Sequence, residues 1–437
     1  MGARETALNV LIACRKEQGW SNGVLKHYIR RDRLDRREAA LSARLCYGVV
    51  QNRMLLDHHL KDLLTGKLKD LHPVLRDILH LGLYQIVFMD RIPDSAAVNE
   101  SVSLAKKYCP KLKSGAGLVN AVLRNALRSE LQPPKGWAEL YSHPQELINL
   151  LKPYVGGKNM EAMLRANNDI APTVIQTNTM KITTEELSEQ LKAEGVEVRP
   201  HSWMKDCLVL TATGALEELD TFQKGYFYVQ DAAAKLSILC AQLPNDRDIR
   251  VLDACAAPGG KTFAAAVAMN GRGEIVSCDI HEHKLELIEK SAQRLGFDHI
   301  SVKLQDGSCF EPQWENAMDA VIADVPCSGY GIIRKKPDIR YKAPKTMEEL
   351  PALQLEILKN QARYVKPGGV LIYSTCTLVR AENEGVLEAF LAENSDFQLE
   401  PLPLPAVFPE NESGMLLLVP GQYDTDGFFI SRLRRIK

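Results

Sequence analysis

The sequence predicts an all-α N-terminal domain followed by an α/β region that ends in a doubly wound parallel sheet. Over residues 3–128, apolar positions repeat at helical spacing, and the alternation typical of strands is absent. From residue 249 onward, short runs of β-forming residues alternate with helical stretches, and such repeated βα units form parallel sheets with helices on both faces. The stretch 141–230 mixes strands with a helix and is predicted to be a small α/β subdomain.

The N-terminal domain, residues 1–130, is predicted to consist of helices. The segment 72–88 is the most apolar of them, and the sequence DRIP at residues 90–93 ends it. Asp35 or Arg36 marks the start of a long helical pattern. The predicted helical segments are 6–14, 38–64, 72–88, 95–108 and 117–128.

A proline-containing linker, residues 131–140, is predicted to lead into a helical stretch and then the small subdomain. The helix of that subdomain starts at Thr183 or Thr184, because Glu186 follows at capping-box spacing, and Gly195 is a typical helix stop. The predicted strands of the subdomain are 173–177, a short strand after Gly195, and 208–212.

The C-terminal region, residues 231–437, is predicted to contain the parallel sheet. Its predicted strands are 249–252, 275–279, 299–304, 320–323 and 370–374, with further strands around 414–419 and 427–433. Its predicted helices begin after residue 262 and cover 283–295, 350–364 and 384–393. Open α/β sheets bind ligands at the carboxyl ends of their strands, so polar residues just past these strands are candidate site residues.

The charge distribution favours a nucleic-acid partner. The whole chain carries a net charge of −1, but residues 1–140 hold 23 Lys and Arg against 14 Asp and Glu, a net charge of +9, which leaves −10 for the remainder. A basic N-terminal part on a neutral whole is typical of RNA binding. A solvated charged surface would produce the same count.

The ten cysteines are scattered, and no C-x-x-C pair occurs among them. The spacing therefore indicates neither a zinc site nor a disulfide framework, and we expect no metal. The N-terminus does not read as a signal peptide, and no apolar run approaches the roughly 18 residues that a membrane span requires. These observations predict a reduced, cytoplasmic protein with no membrane partner.

The stretch IRVLDACAAPGGKT, residues 249–262, is the first of three motifs. It predicts a strand that ends at Asp253, a glycine-rich turn and a helix, an arrangement that lets backbone approach a ligand beside unpaired helix N–H groups. Neither G-x-G-x-x-G nor G-x-x-x-x-G-K-[ST] is present, so an ordinary βα turn is the alternative.

Two later motifs each place a cysteine just past a predicted strand. Residues 324–331 read DVPCSGYG, and residues 371–377 read LIYSTCT. The three motifs, in this order and spacing, resemble those of RNA cytosine-5 methyltransferases that use S-adenosylmethionine. The resemblance extends across nearly the whole chain and implies the Rossmann-like class I methyltransferase fold for the C-terminal region.

The N-terminal domain narrows this resemblance to bacterial 16S rRNA methyltransferases of the cytosine-967 type. It resembles the NusB-type RNA-binding module, particularly in LGLYQIVFMDRIPDSAAVNESVSLAKK and GLVNAVLRNALR. The small subdomain is similar to the RNA-recognition-like piece of the same family. The implied partner is 16S rRNA, either naked or in an early small-subunit particle, and no obligate protein partner is implied.

The family resemblance implies a binding site for S-adenosylmethionine at the strand ends. Asp279 follows a predicted strand and is placed to accept the ribose hydroxyls. Asp306 sits where the family recognises the adenine, and Asp324 lies near the methyl group and the incoming base. The turn that would wrap the methionine end consists of Cys255, Ala256, Ala257, Pro258, Gly259, Gly260 and Lys261. A strand-end cap is the alternative role for each aspartate.

Carbon 5 of cytosine is a poor nucleophile, and a thiolate that adds to carbon 6 activates it. The Pro-Cys pattern of cytosine-5 DNA enzymes would favour Cys327 as the nucleophile. The resemblance to the RNA family instead implies Cys376 as nucleophile and Cys327 as the helper that resolves the adduct. Asp324 is a candidate to hydrogen-bond to and protonate the ring nitrogen N3, where charge develops on addition, and Lys261 is a candidate for electrostatic support. Buried structural thiols are the alternative, and we expect that role for Cys14, Cys46, Cys109, Cys207, Cys240, Cys278 and Cys309.

The target base must be unstacked to reach these groups. Candidate phosphate contacts are Arg30, Arg31, Arg33, Arg36 and Arg37 in the first domain and Arg334, Lys335, Lys336 and Arg340 after the second motif, although a solvated loop would fit the latter set as well. The same chemistry on tRNA, methylation of an exocyclic amine or protein side chain, and a catalytically inactive RNA-binding or transcription factor are the competing interpretations.

Overall fold

The computed structural model describes residues 1–17, 21–211 and 214–437. The chain divides into two compact units. The first comprises Met1–Lys152, Leu164–Asp169 and Ile333–Lys342, and the second comprises Pro153–Met163, Ile170–Ile332 and Ala343–Lys437. No helix in the described part of the chain is long and apolar enough to cross a membrane.

Described secondary structure up to residue 166 is helical, as the sequence predicts. The helices are α1 (Ala3–Glu17), α2 (Ser21–Asp32), α3 (Arg36–Gln51), α4 (Arg53–Leu63), α5 (Pro73–Phe88), α6 (Asp94–Tyr108), α7 (Gly115–Ala126), α8 (Trp137–Leu140), α9 (Gln145–Val155) and α10 (Gly157–Ala166). Helix α5 is buried along most of its length and contributes Ile78, Leu79 and Leu83 to the core. Helix α8 lies inside the predicted linker.

The long helical pattern predicted over 38–64 is two helices, so that prediction is wrong at Asn52. Asp35 caps α3 by accepting a hydrogen bond from the Glu38 N–H, as expected for a start at this point. At Asn52 the backbone leaves the helical conformation, and both its N–H and its side-chain amide donate to the Gly48 carbonyl. An amide that competes for a backbone carbonyl in this way explains the break.

Arg340 corrects another expectation, because its side chain is fully buried in the first unit. The guanidinium donates to the carbonyl of Gln51 at 2.9 Å, to Oδ1 of Asn168 at 2.8 Å and to the carbonyl of Asn167 at 3.2 Å. The prediction that Arg340 contacts phosphate or lies on a solvated loop is therefore wrong. Its hydrogen bonds instead tie the segment Ile333–Lys342 to the helices of that unit.

The second unit contains a four-stranded antiparallel sheet. Its strands are β1 (Thr173–Thr177), β2 (Glu197–Pro200), β3 (Cys207–Thr211) and β4 (Phe227–Val229), in the order β2-β3-β1-β4, with helices α11 (Thr184–Ala193) and α12 (Asp220–Gln223). Thr183 and Glu186 form the predicted capping box at the start of α11. Ala212, the last residue of one predicted strand, lies outside the described residues.

The larger sheet of the second unit has the order β10-β12-β9-β8-β5-β6-β7, with β11 against β12. Its strands are β5 (Arg250–Asp253), β6 (Glu274–Asp279), β7 (Ile300–Leu304), β8 (Met318–Asp324), β9 (Val365–Thr375), β10 (Phe397–Leu399), β11 (Met415–Leu418) and β12 (Phe428–Arg435). Strands β5 to β9 are parallel, and β12 runs antiparallel to β9. The fold class predicted from the sequence is confirmed, and the antiparallel edge makes the sheet mixed.

Helices cover both faces of this sheet. They are α13 (Ala232–Ala241), α14 (Gly260–Ala268), α15 (Glu282–Leu295), α16 (Leu350–Ala362) and α17 (Glu384–Glu393). Along β8, Ala320 and Ile322 pack with α13 to α15, whereas Val321 and Ala323 pack with α16 and α17. The register pairs Asp324 with Ser374, so β8 and β9 deliver both cysteine motifs to one edge of the sheet.

Candidate active site

The turn after β5 is held close to the neighbouring strands. The Ala256 N–H donates to the Cys278 carbonyl at 2.7 Å, next to Asp279 at the end of β6. Gly259 has a φ of +105°, and a Cβ atom there would lie 2.5 Å from the Phe263 ring. Glycine is therefore required at this position, and α14 starts directly after it without a side-chain cap.

Asp279 and Asp306 lie beside this turn, as predicted. One Asp279 oxygen accepts the His281 N–H at 3.0 Å, and one Asp306 oxygen accepts the N–H and the hydroxyl of Ser308 at 2.9 and 2.7 Å. A Cβ atom on Gly307 would lie 3.5 Å from the Cys255 sulfur, so the segment after β7 touches the turn. The turn after β5, Asp279 and Asp306, which are predicted to bind S-adenosylmethionine, thus lie together at one edge of the sheet.

Gln230 is a residue that sequence reasoning did not identify. Its side chain is buried, and neither Oε1 nor Nε2 has a hydrogen-bond partner. Its amide lies against Gly260, with Nε2 at 3.3 Å from where a Cβ atom would stand. A buried amide with open bonding capacity beside a glycine turn fits a polar ligand such as the amino-acid end of S-adenosylmethionine. A polar pair, Gln-Asp, between a strand and a helix is the signal in the sequence.

Asp324 and Lys261 form an ion pair at the same edge. The Lys261 ammonium lies 2.6 Å from one Asp324 oxygen, and the Ser374 hydroxyl donates to the other at 2.7 Å. The Lys261 nitrogen also lies 4.9 Å from the centre of the Phe428 ring. The Asp324 side chain is 28% exposed, so it is fixed in orientation and still open to an incoming molecule.

Asp253 lies beneath this pair and is fully buried. The Thr262 hydroxyl donates to one of its oxygens at 2.8 Å, and the other oxygen has no partner. Burial raises the pKa of Asp253 to about 7, and the nearby Asp324 carboxylate acts in the same direction. The carboxyl group therefore titrates near neutral pH and not near 4.

The side chains of the two predicted catalytic cysteines are in contact. The sulfur atoms of Cys327 and Cys376 lie 3.2 Å apart, and both residues are partly exposed. The contact with Cys376 raises the pKa of Cys327 well above its ordinary value, and burial adds to this. Two thiols at this separation cannot both ionise readily, so the pair can supply one thiolate beside one thiol.

The other cysteines divide by burial. Cys46, Cys109, Cys207, Cys240 and Cys278 are buried, in agreement with a structural role, whereas Cys14 is half-buried. Cys309 is exposed, so its prediction as a buried thiol is wrong. Its backbone carbonyl accepts hydrogen bonds from Gln305 and Asn360, which fixes the turn through the main chain and leaves the side chain outside.

Two polar residues after the last motif hold the cysteine loops, and the sequence analysis did not identify them. Asn383 accepts the Thr375 hydroxyl at 2.6 Å and donates to the Thr377 carbonyl at 3.1 Å, and so it fixes both neighbours of Cys376. Glu382 is 3% exposed and bonds to the loop of Cys327. The signal in the sequence is a charged and an amide residue placed between a strand end and an apolar helix.

Comparison of the sequence with known proteins identifies the family to which this chain belongs. Residues 240–434 match the family described as 16S rRNA methyltransferase RsmB/F. The probable ribosomal RNA small subunit methyltransferase B of Bacillus subtilis is 36% identical over 446 residues, which cover 99% of this chain and 98% of the relative. The chain belongs to the RsmB/F family of 16S rRNA methyltransferases. The predicted resemblance to bacterial 16S rRNA methyltransferases is thereby confirmed.

The RsmB/F relationship extends to the other parts of the chain. Residues 1–128 match the NusB family, and residues 143–217 match the ferredoxin-like domain of RsmF/B-like methyltransferases. The ribosomal RNA small subunit methyltransferase B of Vibrio cholerae is 33% identical and covers 91% of this chain and 90% of its own. The NusB-like identity of the N-terminal domain is therefore established.

Solved structures share the fold of this chain. The crystal structure of PH0851 superposes with a TM-score of 0.79 at 25% identity and covers 99% of both chains. The structure of NSun6 from Pyrococcus horikoshii with SFG has a TM-score of 0.61 at 22% identity and covers 68% of this chain and 100% of its own, a likeness in fold.

Proposed function

We propose that this chain transfers the methyl group of S-adenosylmethionine to carbon 5 of a cytosine in 16S rRNA, at a site of the cytosine-967 type, through a covalent cysteine adduct at carbon 6. The observation that carries the proposal is the pair of thiols 3.2 Å apart at the binding edge of a methyltransferase sheet, beside the Lys261–Asp324 ion pair. Methylation of an exocyclic amine needs no thiol nucleophile, and the cysteine pair therefore favours carbon 5.

Cys376 is the proposed nucleophile. Its thiolate sulfur bonds to carbon 6, the ring becomes electron-rich at carbon 5, and carbon 5 takes the sulfonium methyl group, which leaves S-adenosylhomocysteine. In the second half of the reaction a base such as water takes the carbon-5 proton, the carbon 5–carbon 6 double bond re-forms, and Cys376 departs as a thiolate. Cys327 is the proposed helper in this half, because its S–H can donate to the departing sulfur. The raised pKa of Cys327 supports this division, because it keeps that residue a thiol whose S–H can face the Cys376 thiolate.

Asp324 is the proposed proton donor or hydrogen-bond partner at the ring nitrogen N3, where negative charge develops on addition. Lys261 and Ser374 fix its orientation, and the Lys261 ammonium, which donates to Asp324, is the proposed source of the proton that passes to N3. S-adenosylmethionine supplies an electrophilic methyl group. The proposed binding residues for it are Asp279 for the ribose, Asp306 for the adenine and the turn of residues 255–261, with Gln230, for the methionine end.

The proposed RNA contacts are the arginines around the end of α2 and the start of α3, since Arg30, Arg31, Arg33, Arg36 and Arg37 are all exposed. Their place in a NusB-like domain and the net charge of +9 over residues 1–140 support binding to a phosphate backbone.

The test is a methyl-transfer assay with S-adenosylmethionine that carries a labelled methyl group. Unmodified 16S rRNA, an early small-subunit particle and bulk tRNA are compared as substrates, and labelled nucleosides are identified by mass spectrometry. We expect label in 5-methylcytidine from rRNA or from the particle. Label in tRNA would change the substrate and keep the chemistry, and label in another nucleoside would overturn the covalent mechanism.

A further inference from the structure

Glu382 is a buried carboxylate that no step of the proposed reaction uses. It lies in the short helical turn Arg380–Glu382, between the Cys376 loop and α17, and is 3% exposed. Its Oε2 atom accepts the Ser328 N–H at 2.8 Å and the Gln354 amide at 3.0 Å. Its Oε1 atom accepts the Ser328 hydroxyl at 2.5 Å, with the Thr377 hydroxyl at 3.4 Å.

These donors come from both cysteine loops. Ser328 directly follows Cys327, and Thr377 directly follows Cys376. The hydroxyls of Ser328 and Thr377 are also 2.7 Å apart. The Gln354 amide donates to the Pro326 carbonyl at 2.9 Å as well as to Glu382, so it holds the other side of Cys327. The carboxylate thus joins the two loops from beneath.

We propose that Glu382 is a positioning residue that holds the thiols of Cys327 and Cys376 at their working separation. A carboxylate is suited to this task because it accepts hydrogen bonds on both oxygens and can satisfy several donors at once. Asn383 holds only one of the two loops, because its side chain bonds to Thr375 and Thr377, which both lie on the Cys376 loop. The expected effect of Glu382 on methyl transfer rests on the proposed function. Its effect on the separation of the two thiols does not.

The charge of Glu382 has a second consequence. The pKa of Cys327 is raised first by the contact with Cys376, then by burial and the charge of Cys376, and then by the charge of Glu382. Removal of the carboxylate should therefore lower the pKa of Cys327 in two ways, because it removes a negative charge and because it loosens the contact between Cys327 and Cys376.

The decisive variant is Glu382→Gln. The amide has nearly the same shape, but one acceptor oxygen is replaced by an NH₂ group that faces the donors of Ser328 or Gln354. Glu388→Gln is the matched control, since Glu388 is exposed on the following helix and pairs with Arg380. Ser328→Ala, which removes only the hydroxyl bond, is a milder variant in case Glu382→Gln does not fold.

The first measurement needs neither RNA nor methyl donor. The rate of alkylation of Cys327 and Cys376 by iodoacetamide is followed by peptide mass spectrometry across a pH series. We expect the Cys327 profile to move to lower pH in Glu382→Gln and to stay unchanged in Glu388→Gln. An unchanged profile in a folded Glu382→Gln protein would overturn the proposal.

The second measurement is methyl transfer to the rRNA substrate. We expect kcat to fall about 100-fold in Glu382→Gln, because a displacement of about 1 Å between reacting groups has that effect, while KM for the methyl donor stays constant. Ser328→Ala should show the same pattern with a smaller loss. Wild-type kcat in both variants would overturn the proposal. If the wild-type protein does not methylate RNA, the proposed function fails and the alkylation result alone decides the role of Glu382.

Discussion

Cys376 and Cys327 differ in their expected roles although their sulfur atoms are only 3.2 Å apart. We predict that Cys376→Ala abolishes methyl transfer, because no thiolate remains to activate carbon 5. We predict that Cys327→Ala still forms the adduct, which accumulates because its release is impaired. Denaturing gels with labelled RNA detect this protein–RNA adduct. Cys309→Ala is the control, since it removes an exposed thiol that the proposed reaction does not use and should retain activity. The opposite pattern would exchange the two roles.

Asp253 provides a prediction about pH. Its folded pKa of about 7 exceeds the ordinary value of 3.8, so the native state binds the extra proton and the associated stability is lost as the pH rises toward 7. We expect Asp253→Asn to gain stability relative to the wild type between pH 5 and pH 8, by at most about 3 kcal/mol. Thermal unfolding at the two pH values measures this difference.

Asp319 at the other end of β8 is the matched control for Asp253. Burial acts to raise its pKa, but the bond from the Arg250 N–H and the ion pair with Lys366 outweigh burial and lower it. Asp319 is therefore ionised in both the folded and the unfolded protein over this pH range. Asp319→Asn should cost stability by a similar amount at both pH values, and a parallel pH dependence of the two variants would refute the assignment for Asp253.

At the scale of the element, the turn before α14 carries a prediction for the methyl donor. Gly259→Ala would put a Cβ atom into the Phe263 ring at a φ of +105°. Strain of this kind costs about 1–3 kcal/mol, and we expect the dissociation constant of S-adenosylhomocysteine to rise by roughly 10- to 100-fold. Isothermal titration calorimetry measures it. Gly156→Ala is the control, because Gly156 also has a positive φ of +77° with no atom near its Cβ position. Equal affinities in the two variants would contradict the prediction.

Elements with a strong local signal were predictable, and elements fixed by tertiary contacts were not. Strand β1 and helix α17 match their predicted bounds, because a run of β-forming residues or an apolar helix pattern ends at a polar residue. Strand β10 has only three residues and forms through pairing with β12, so its own sequence carries no period. At the site, the cysteines and aspartates follow strand ends. Glu382 and Gln230 are marked in the sequence only by their polarity beside an element boundary, and their contacts come from the tertiary fold.

At the scale of the whole molecule, two charged regions of opposite net sign share one chain. The basic N-terminal domain matches the NusB family, and the C-terminal region matches the methyltransferase family. Arg340 shows that a positive side chain is not by itself evidence of an RNA contact, because this arginine is buried and donates to backbone carbonyls. The candidates that remain in the first domain are exposed arginines around the end of α2 and the start of α3.

We therefore predict that replacing Arg30, Arg33 and Arg37 together with glutamine weakens rRNA binding. Each arginine that neutralises a phosphate contributes about 0.7–0.9 to the slope of log K against log salt, so the slope should fall by roughly two units if all three bind phosphate. Filter binding over a salt series measures both affinity and slope. The control replaces Lys113, Arg124 and Arg128, which are also exposed in the same domain and carry the same total charge. If the slope falls equally in both triple variants, the domain attracts RNA through its net charge. If it falls only in the first, the arginines around α2 and α3 form the RNA-binding surface, and kcat/KM for rRNA should fall while donor affinity is unchanged.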